Sequence, residues 1–251
     1  VPYRPKRWLK IADKPLAAGD FVMVAGYPGS TNRYALADDF RNTTDWTYPT
    51  ISRHNKATVA MVDAEDRKVP DIAVKYANTV RGMENVLKNY DGQLEGFERM
   101  GAGEIKRKQE EAVLAWLRKR GKAGVPALEA HETLRALSAQ TAATRERDLV
   151  LGRFNGGGVV GTALSLYRLS IERAKADADR EPGYQERDLP AVEGAMKQME
   201  RRYHPTMDRE LMRYWLREYV ALPKEQRLQA MDKWLDGNDV KAIAAARKSL
   251  G

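Results

Sequence analysis

Apolar residues recur along most of this chain at the spacing of a helix. Ile72, Tyr76, Val80, Met83, Leu87, Tyr90, Leu94 and Phe97 follow one another at steps of three or four. At about 100° per residue they fall on one narrow stripe, so residues 70–100 read as a single long helix. Pro70 is expected in its first turn, with Asp71 beside the positive end of the dipole. Leu211, Trp215, Tyr219 and Leu222 predict a second helix, restarted at Pro223. Leu228, Met231 and Leu235, ended by Gly237, predict a third. Ile105, Ala112, Trp116 and Leu117, ended by Gly121, predict a fourth. The polar tract 175–188, broken by Pro182-Gly183, reads as an exposed loop.

The first 41 residues carry a different signal. Phe21-Val22-Met23-Val24-Ala25 is a short apolar run between Gly19-Asp20 and Gly26-Tyr27-Pro28-Gly29. It predicts a buried strand ending in a sharp turn, with Trp8-Leu9-Lys10-Ile11 as a partner strand. Two or three strands are marginal in water, so this segment calls for strands supplied from elsewhere. The expected fold is mainly α: a multi-helix domain over 42–251 behind a short N-terminal β segment over 1–41.

The long helix divides into three faces. Arg81, Glu84, Lys88, Asp91, Glu95 and Arg99 flank the apolar stripe, while Asn78, Asn85 and Asn89, with Gly82, Gly92 and Gly96, lie opposite it. Each such glycine costs about 1 kcal/mol relative to Ala, and Asn competes with the helix backbone for hydrogen bonds. A merely solvated face would carry Lys and Glu. Neutral amides and bare backbone suit close approach by another chain. Two readings follow: a second helix packed on the glycines, or a groove wall that holds a peptide-like ligand.

Composition narrows the class. The chain has 251 residues, 43 basic and 35 acidic, for a net charge of +8, with no cysteine. That is enough chain for a sizeable core, and it excludes collagen-like, disulfide-stapled and fully disordered classes. No apolar run reaches the roughly 18–20 residues of a membrane helix, so no membrane partner is expected. No basic-then-apolar leader opens the chain, and Val1 within a Pro-rich stretch reads as the edge of a piece cut from something longer.

Several chemical motifs fail on context. Gly156-Gly157-Gly158-Val159-Val160-Gly161 matches G-x-G-x-x-G, but a charged helical stretch precedes it, so it reads as a helix break, hinge or close crossing. Asp177, Asp179 and Glu181 lack the Gly and closing Glu of a calcium loop. His54, His131 and His204 are far apart, and His131 reads as a satisfied core histidine. No metal and no cofactor are therefore expected. No serine sits in G-x-S-x-G, and Ser30 reads as a turn residue. The basic clusters are interleaved with acids and lack stacking aromatics, which argues against nucleic acid, and the alternative reading is a stand-alone basic helical module that binds nucleic acid or an acidic protein partner.

Gly19-Asp20-Phe21-Val22-Met23-Val24-Ala25-Gly26-Tyr27-Pro28-Gly29-Ser30-Thr31-Asn32-Arg33-Tyr34 resembles a motif of the bacterial dipeptidyl-peptidase 7/11 family of serine exopeptidases. Asn85-Val86-Leu87-Lys88-Asn89-Tyr90-Asp91-Gly92 is similar to that family's N-x-x-K-N-x-x-G segment, and Val1-Pro2-Tyr3 to Trp8-Leu9 fits its lead-in. The resemblance implies a chymotrypsin-like double β-barrel with a helical domain inserted into it. It implies a periplasmic hydrolase that removes dipeptides from peptide N-termini, the helical domain capping the cleft. It also implies that an asparagine of that domain binds the substrate's free α-amino group: Asn85, with Asn89 as the fallback. The family's catalytic His and Asp precede this stretch, and its nucleophilic Ser, oxyanion hole and main P1-specificity position follow it. The expectation is therefore no catalytic residue and no hydrolysis by this chain alone. Its expected partners are a peptide with a free N-terminus and the remainder of the catalytic domain. Dimerisation of the parent is left open.

Overall fold

The computed structural model describes residues 4–23, 26, 34–155 and 158–236. The chain divides into two compact units, Val1–Ala35 and Leu36–Gly251.

In the first unit, a turn at 17–20 is closed by Asp20, which accepts the Ala17 N–H at 2.8 Å, and Gly19 supplies the positive φ of 95° that the turn requires. Among the described residues the expected strands are absent: Trp8–Ile11 and Phe21–Met23 are irregular, with Leu9 97% and Phe21 91% exposed. Neither run has a ladder partner among the described residues, and an unpaired strand is not stable in water. Val24, Ala25 and 27–33, including Ser30, lie outside the described residues.

The second unit is helical. Its helices are α1 (Ala37–Asn42), α2 (Tyr48–Asp66), α3 (Ile72–Met100), α4 (Ala102–Lys119), α5 (Val125–Asn155), α6 (Gly158–Glu172), α7 (Leu189–Arg202), α8 (Pro205–Ala221) and α9 (Gln229–Asp236). Helix thus begins at Ala37, ahead of residue 42. A π-helical turn over Thr43–Thr47 carries α1 into α2. Pro70 lies outside α3, not in its first turn. Asp71, at a φ of 78°, is the N-cap, and the Asp66 carboxylate at the end of α2 takes the Ala73 N–H at 2.8 Å. Gly101, at φ 60°, ends α3 in the left-handed conformation that only glycine adopts cheaply and turns the chain into α4.

Helix α8 organises the core. Trp215, Leu216, Tyr219 and Leu222 pack with Val150 of α5 and Leu235 of α9, while Met207 packs with Val62 of α2 and Ile72 of α3. Tyr219 is fully buried and its hydroxyl still bonds the Leu228 backbone and Asp232, which ties the following turn to α8.

Helix α4 departs from its expected orientation. Ile105, Ala112 and Trp116 are exposed, and the covered line is Lys106, Glu110, Leu114 and Leu117. Polar pairing decides this. Glu110 accepts the Ala37 N–H at 2.5 Å and meets His131 Nε2 at 2.8 Å, joining α1, α4 and α5. His131 is therefore satisfied, by a carboxylate.

The loop 173–188 is built on its acids. Glu172 accepts from Lys175 at 2.6 Å and from the Glu181 N–H at 2.9 Å, while Asp177 accepts the Glu186 N–H at 2.7 Å. Helix α5 ends at Asn155 and α6 starts at Gly158, so the glycine run falls at a helix break. Gly156 and Gly157 themselves lie outside the described residues.

Candidate functional site

The apolar stripe of α3 turns inward against α2. Phe97 meets Phe40 edge-on with ring centroids 5.0 Å apart, and Tyr90 stacks on Tyr48 at 3.9 Å. Val80 and Tyr76 pack on the Val62–Ile72–Met207 cluster. With that side anchored, helical geometry sends the amide and glycine face outward. Asn78, Gly82, Asn85, Asn89 and Gly92 are exposed. A methyl group added at Gly82, Gly92 or Gly96 would meet nothing within 4 Å. Of the two readings of this face, packing of a helix on the glycines is overturned among the described residues.

The two candidate asparagines differ in state. The Asn89 carbonyl accepts from Gln93 at 2.6 Å, and Gln93 accepts in turn from the Tyr48 hydroxyl at 3.0 Å. Burial raises the pKa of that phenol, so it stays a donor. Asn89 is thus held in one orientation by a chain reaching back to α2. Asn85 makes no side-chain hydrogen bond with any described residue, so its carbonyl and both N–H groups remain available. A carbonyl of this kind can receive an ammonium without adding a charge.

Part of the basic surface is locally neutralised. Arg107 pairs with Glu104 at 2.6 Å and with Glu111, and Arg135 pairs with Asp38 at 3.3 Å.

One feature of the fold escaped the sequence reading. A cavity of about 630 Å³ opens between α2, α3, α5, α6 and α8, lined among others by His54, Asn55, Thr58, Tyr76, Arg153, Asp208 and Trp215. From α2, Asn55 and Thr58 line it, and with Ser52 and Val62 they make a buried stripe at helical spacing. The stripe was visible in the sequence, but it is polar, and a search for apolar periodicity passes over it. His54 is buried there. Arg53 can only donate to its Nε2, at 3.0 Å, so the neutral ring carries its proton on Nδ1 and gives it to the Tyr214 oxygen at 2.7 Å. Burial first, and Arg53 second, push its pKa down to about 4.

The Peptidase S46 family matches residues 1–250. The chain belongs to that family. It is similar to an Asp/Glu-specific dipeptidyl-peptidase of Shewanella putrefaciens (strain CN-32 / ATCC BAA-453), 36% identical over 239 residues, which is 95% of this chain and 32% of the relative. It is 32% identical over 141 residues to an Asp/Glu-specific dipeptidyl-peptidase of Porphyromonas endodontalis, covering 55% of this chain and 18% of the relative. It is 26% identical over 119 residues to dipeptidyl-peptidase 7 of Capnocytophaga gingivalis, covering 47% of this chain and 17% of the relative. The chain spans about a third or less of the length of these S46 relatives.

Proposed function

We propose that this chain forms the helical cap of a periplasmic serine dipeptidyl aminopeptidase, and that Asn85 receives the free α-ammonium of the peptide being cut. Residues 1–41 belong, on this reading, to the chymotrypsin-like β-barrel of the same enzyme, which supplies their strand partners. The nucleophile, its His–Asp partners and the oxyanion hole come from that barrel. The cap closes over the cleft, excludes water and leaves room for only two residues on the N-terminal side of the bond that is cut. Asn89, steadied by Gln93 and Tyr48, is the second amide of the site. The similarity to Asp/Glu-specific relatives makes peptides with an acidic second residue the first substrates to test.

One observation carries this reading: Asn85 stands exposed and unpartnered beside glycines that leave open space for a backbone. An ammonium desolvated in a closed cleft needs acceptors at a fixed place, and losing one leaves a buried charge underpaired. In a full-length S46 enzyme carrying this segment, Asn85→Ala lowers kcat/KM on free-amine dipeptidyl substrates by roughly 10–100-fold. Unchanged kinetics would remove Asn85 from the site.

A further inference from the structure

The cavity behind α3 is built like a receptor for a small zwitterion. It lies on the side of α3 away from Asn85, since Tyr76 and Met83 of the inward stripe line it. Asn55 is 5% exposed and Thr58 3% exposed, and neither side chain makes a hydrogen bond with any described residue. Both line the cavity, so the polar surface they keep opens into it. These polar atoms stay accessible through the cavity, so a ligand that fills it and displaces solvent must bond both side chains in its place.

The remaining lining supplies the other chemistry. The Arg153 guanidinium forms no hydrogen bond or ion pair with a described residue, yet it is close enough to His54 to depress its pKa. Asp208 meets the Val159 N–H at 3.4 Å, a long contact that leaves acceptor capacity on its carboxylate. Met83, Leu211, Met212 and Trp215 form an apolar wall. A volume of about 630 Å³ falls within the range of small-ligand sites.

We infer that this cavity is a second peptide site, which binds a free dipeptide with an apolar C-terminal residue. Arg153 takes the carboxylate in a two-pronged pair. Asn55 meets the peptide group with its own donor and acceptor, and Thr58 supplies a hydroxyl. Asp208 takes the ammonium, and the Met–Leu–Trp wall receives the side chain. This goes beyond the Asn85 reading and does not depend on it. The cavity's apolar wall sets its ligand apart from the dipeptides with an acidic C-terminal residue that cleavage after Asp or Glu releases.

The test titrates the whole chain with Ala-Leu, N-acetyl-Ala-Leu and Ala-Leu amide, followed by calorimetry and by the NMR signal of the Trp215 indole. Ala-Leu binds one to one and shifts that signal, and each capped peptide binds about tenfold or more weakly. Arg153→Gln removes the penalty for amidation while keeping that for acetylation. Gly152→Trp blocks binding from a position where an added side chain meets nothing within 4 Å. Asn85→Ala leaves binding unchanged, which separates this site from the cleft. The inference is overturned by absence of Ala-Leu binding, by equal affinity for the three peptides, by binding that survives Gly152→Trp, or by loss of binding in Asn85→Ala. Both Arg153 and Gly152 are exposed, so their variants keep the helical fold, checked by circular dichroism.

Discussion

Helices α8 and α4 look alike on paper and end differently. Each has an apolar stripe anchored by a tryptophan, with charge on its other faces. Helix α8 buries Met207, Trp215, Leu216 and Tyr219 between two clusters, whereas α4 buries none of its residues and holds Trp116 54% exposed beneath Arg120. Periodicity reports which side of a helix is apolar. Whether that side is covered depends on what else the fold brings to it. For α4 the decision went to Glu110, whose bonds to Ala37 and His131 aim the polar side inward.

The largest test of this contrast is Tyr219→Ala. It removes a fully buried ring and leaves the Leu228 backbone and Asp232 without their hydroxyl partner. Chemical denaturation should show a loss of about 3–5 kcal/mol. A loss below about 1 kcal/mol would mean that α8 is not the centre of the core.

His54, packed 4.8 Å from the Trp215 ring, gives the next effect. Its folded pKa of about 4 lies below the ordinary 6.5, because burial and Arg53 disfavour the cation. The unfolded chain therefore binds a proton between those values that the folded chain refuses. The stability this provides is complete above pH 6.5 and is lost as pH falls toward 4, on the order of 2 kcal/mol. His54→Gln should flatten that part of the stability profile. A profile unchanged by the substitution would place the pH dependence elsewhere.

How much of this was legible follows the same division. The stripe of α3 and that of α8 were readable because apolar residues at helical spacing met covering partners. The candidate amides were readable because Asn and Gly are expensive within a helix, so their clustering demands a reason. Three things were hidden. The buried stripe of α2 is polar at Ser52, Asn55 and Thr58. The orientation of α4 hangs on one glutamate that bonds residues 73 and 21 positions away. The run at Phe21–Met23 has the composition of a strand but no ladder partner among the described residues. Long-range pairing, unlike period, is not written in a local window.

The outer face of α3 sharpens the comparison from the other side, since its exposure is not that of an apolar stripe left uncovered. Gly92→Ala meets no atom within 4 Å and restores helix propensity. It should therefore stabilise the chain by about 0.5–1 kcal/mol. If the face receives a substrate backbone, the same methyl raises KM in the full-length enzyme while the melting temperature rises. Stabilisation with unchanged KM would leave Gly92 outside the site.

The smallest expected effect is the most discriminating between α8 and α4. Trp116 lies on the perimeter, its ring 4.8 Å from the Arg120 guanidinium carbon. Exposed cation–π contacts are worth about 0.5–1 kcal/mol, and an exposed ring loses little transfer energy on truncation. Trp116→Ala should therefore change the stability of the isolated chain by no more than about 1 kcal/mol. Ile105, Val113 and Trp116 nonetheless expose apolar surface along one helix, as few solvated helices do. Measuring Trp116→Ala both in this chain and in a full-length S46 enzyme separates two origins of that surface. Equal small effects in both mark α4 as a true outer helix. A loss several times larger in the longer protein marks the stripe as one that the sequence pattern identified correctly and that finds its cover only there.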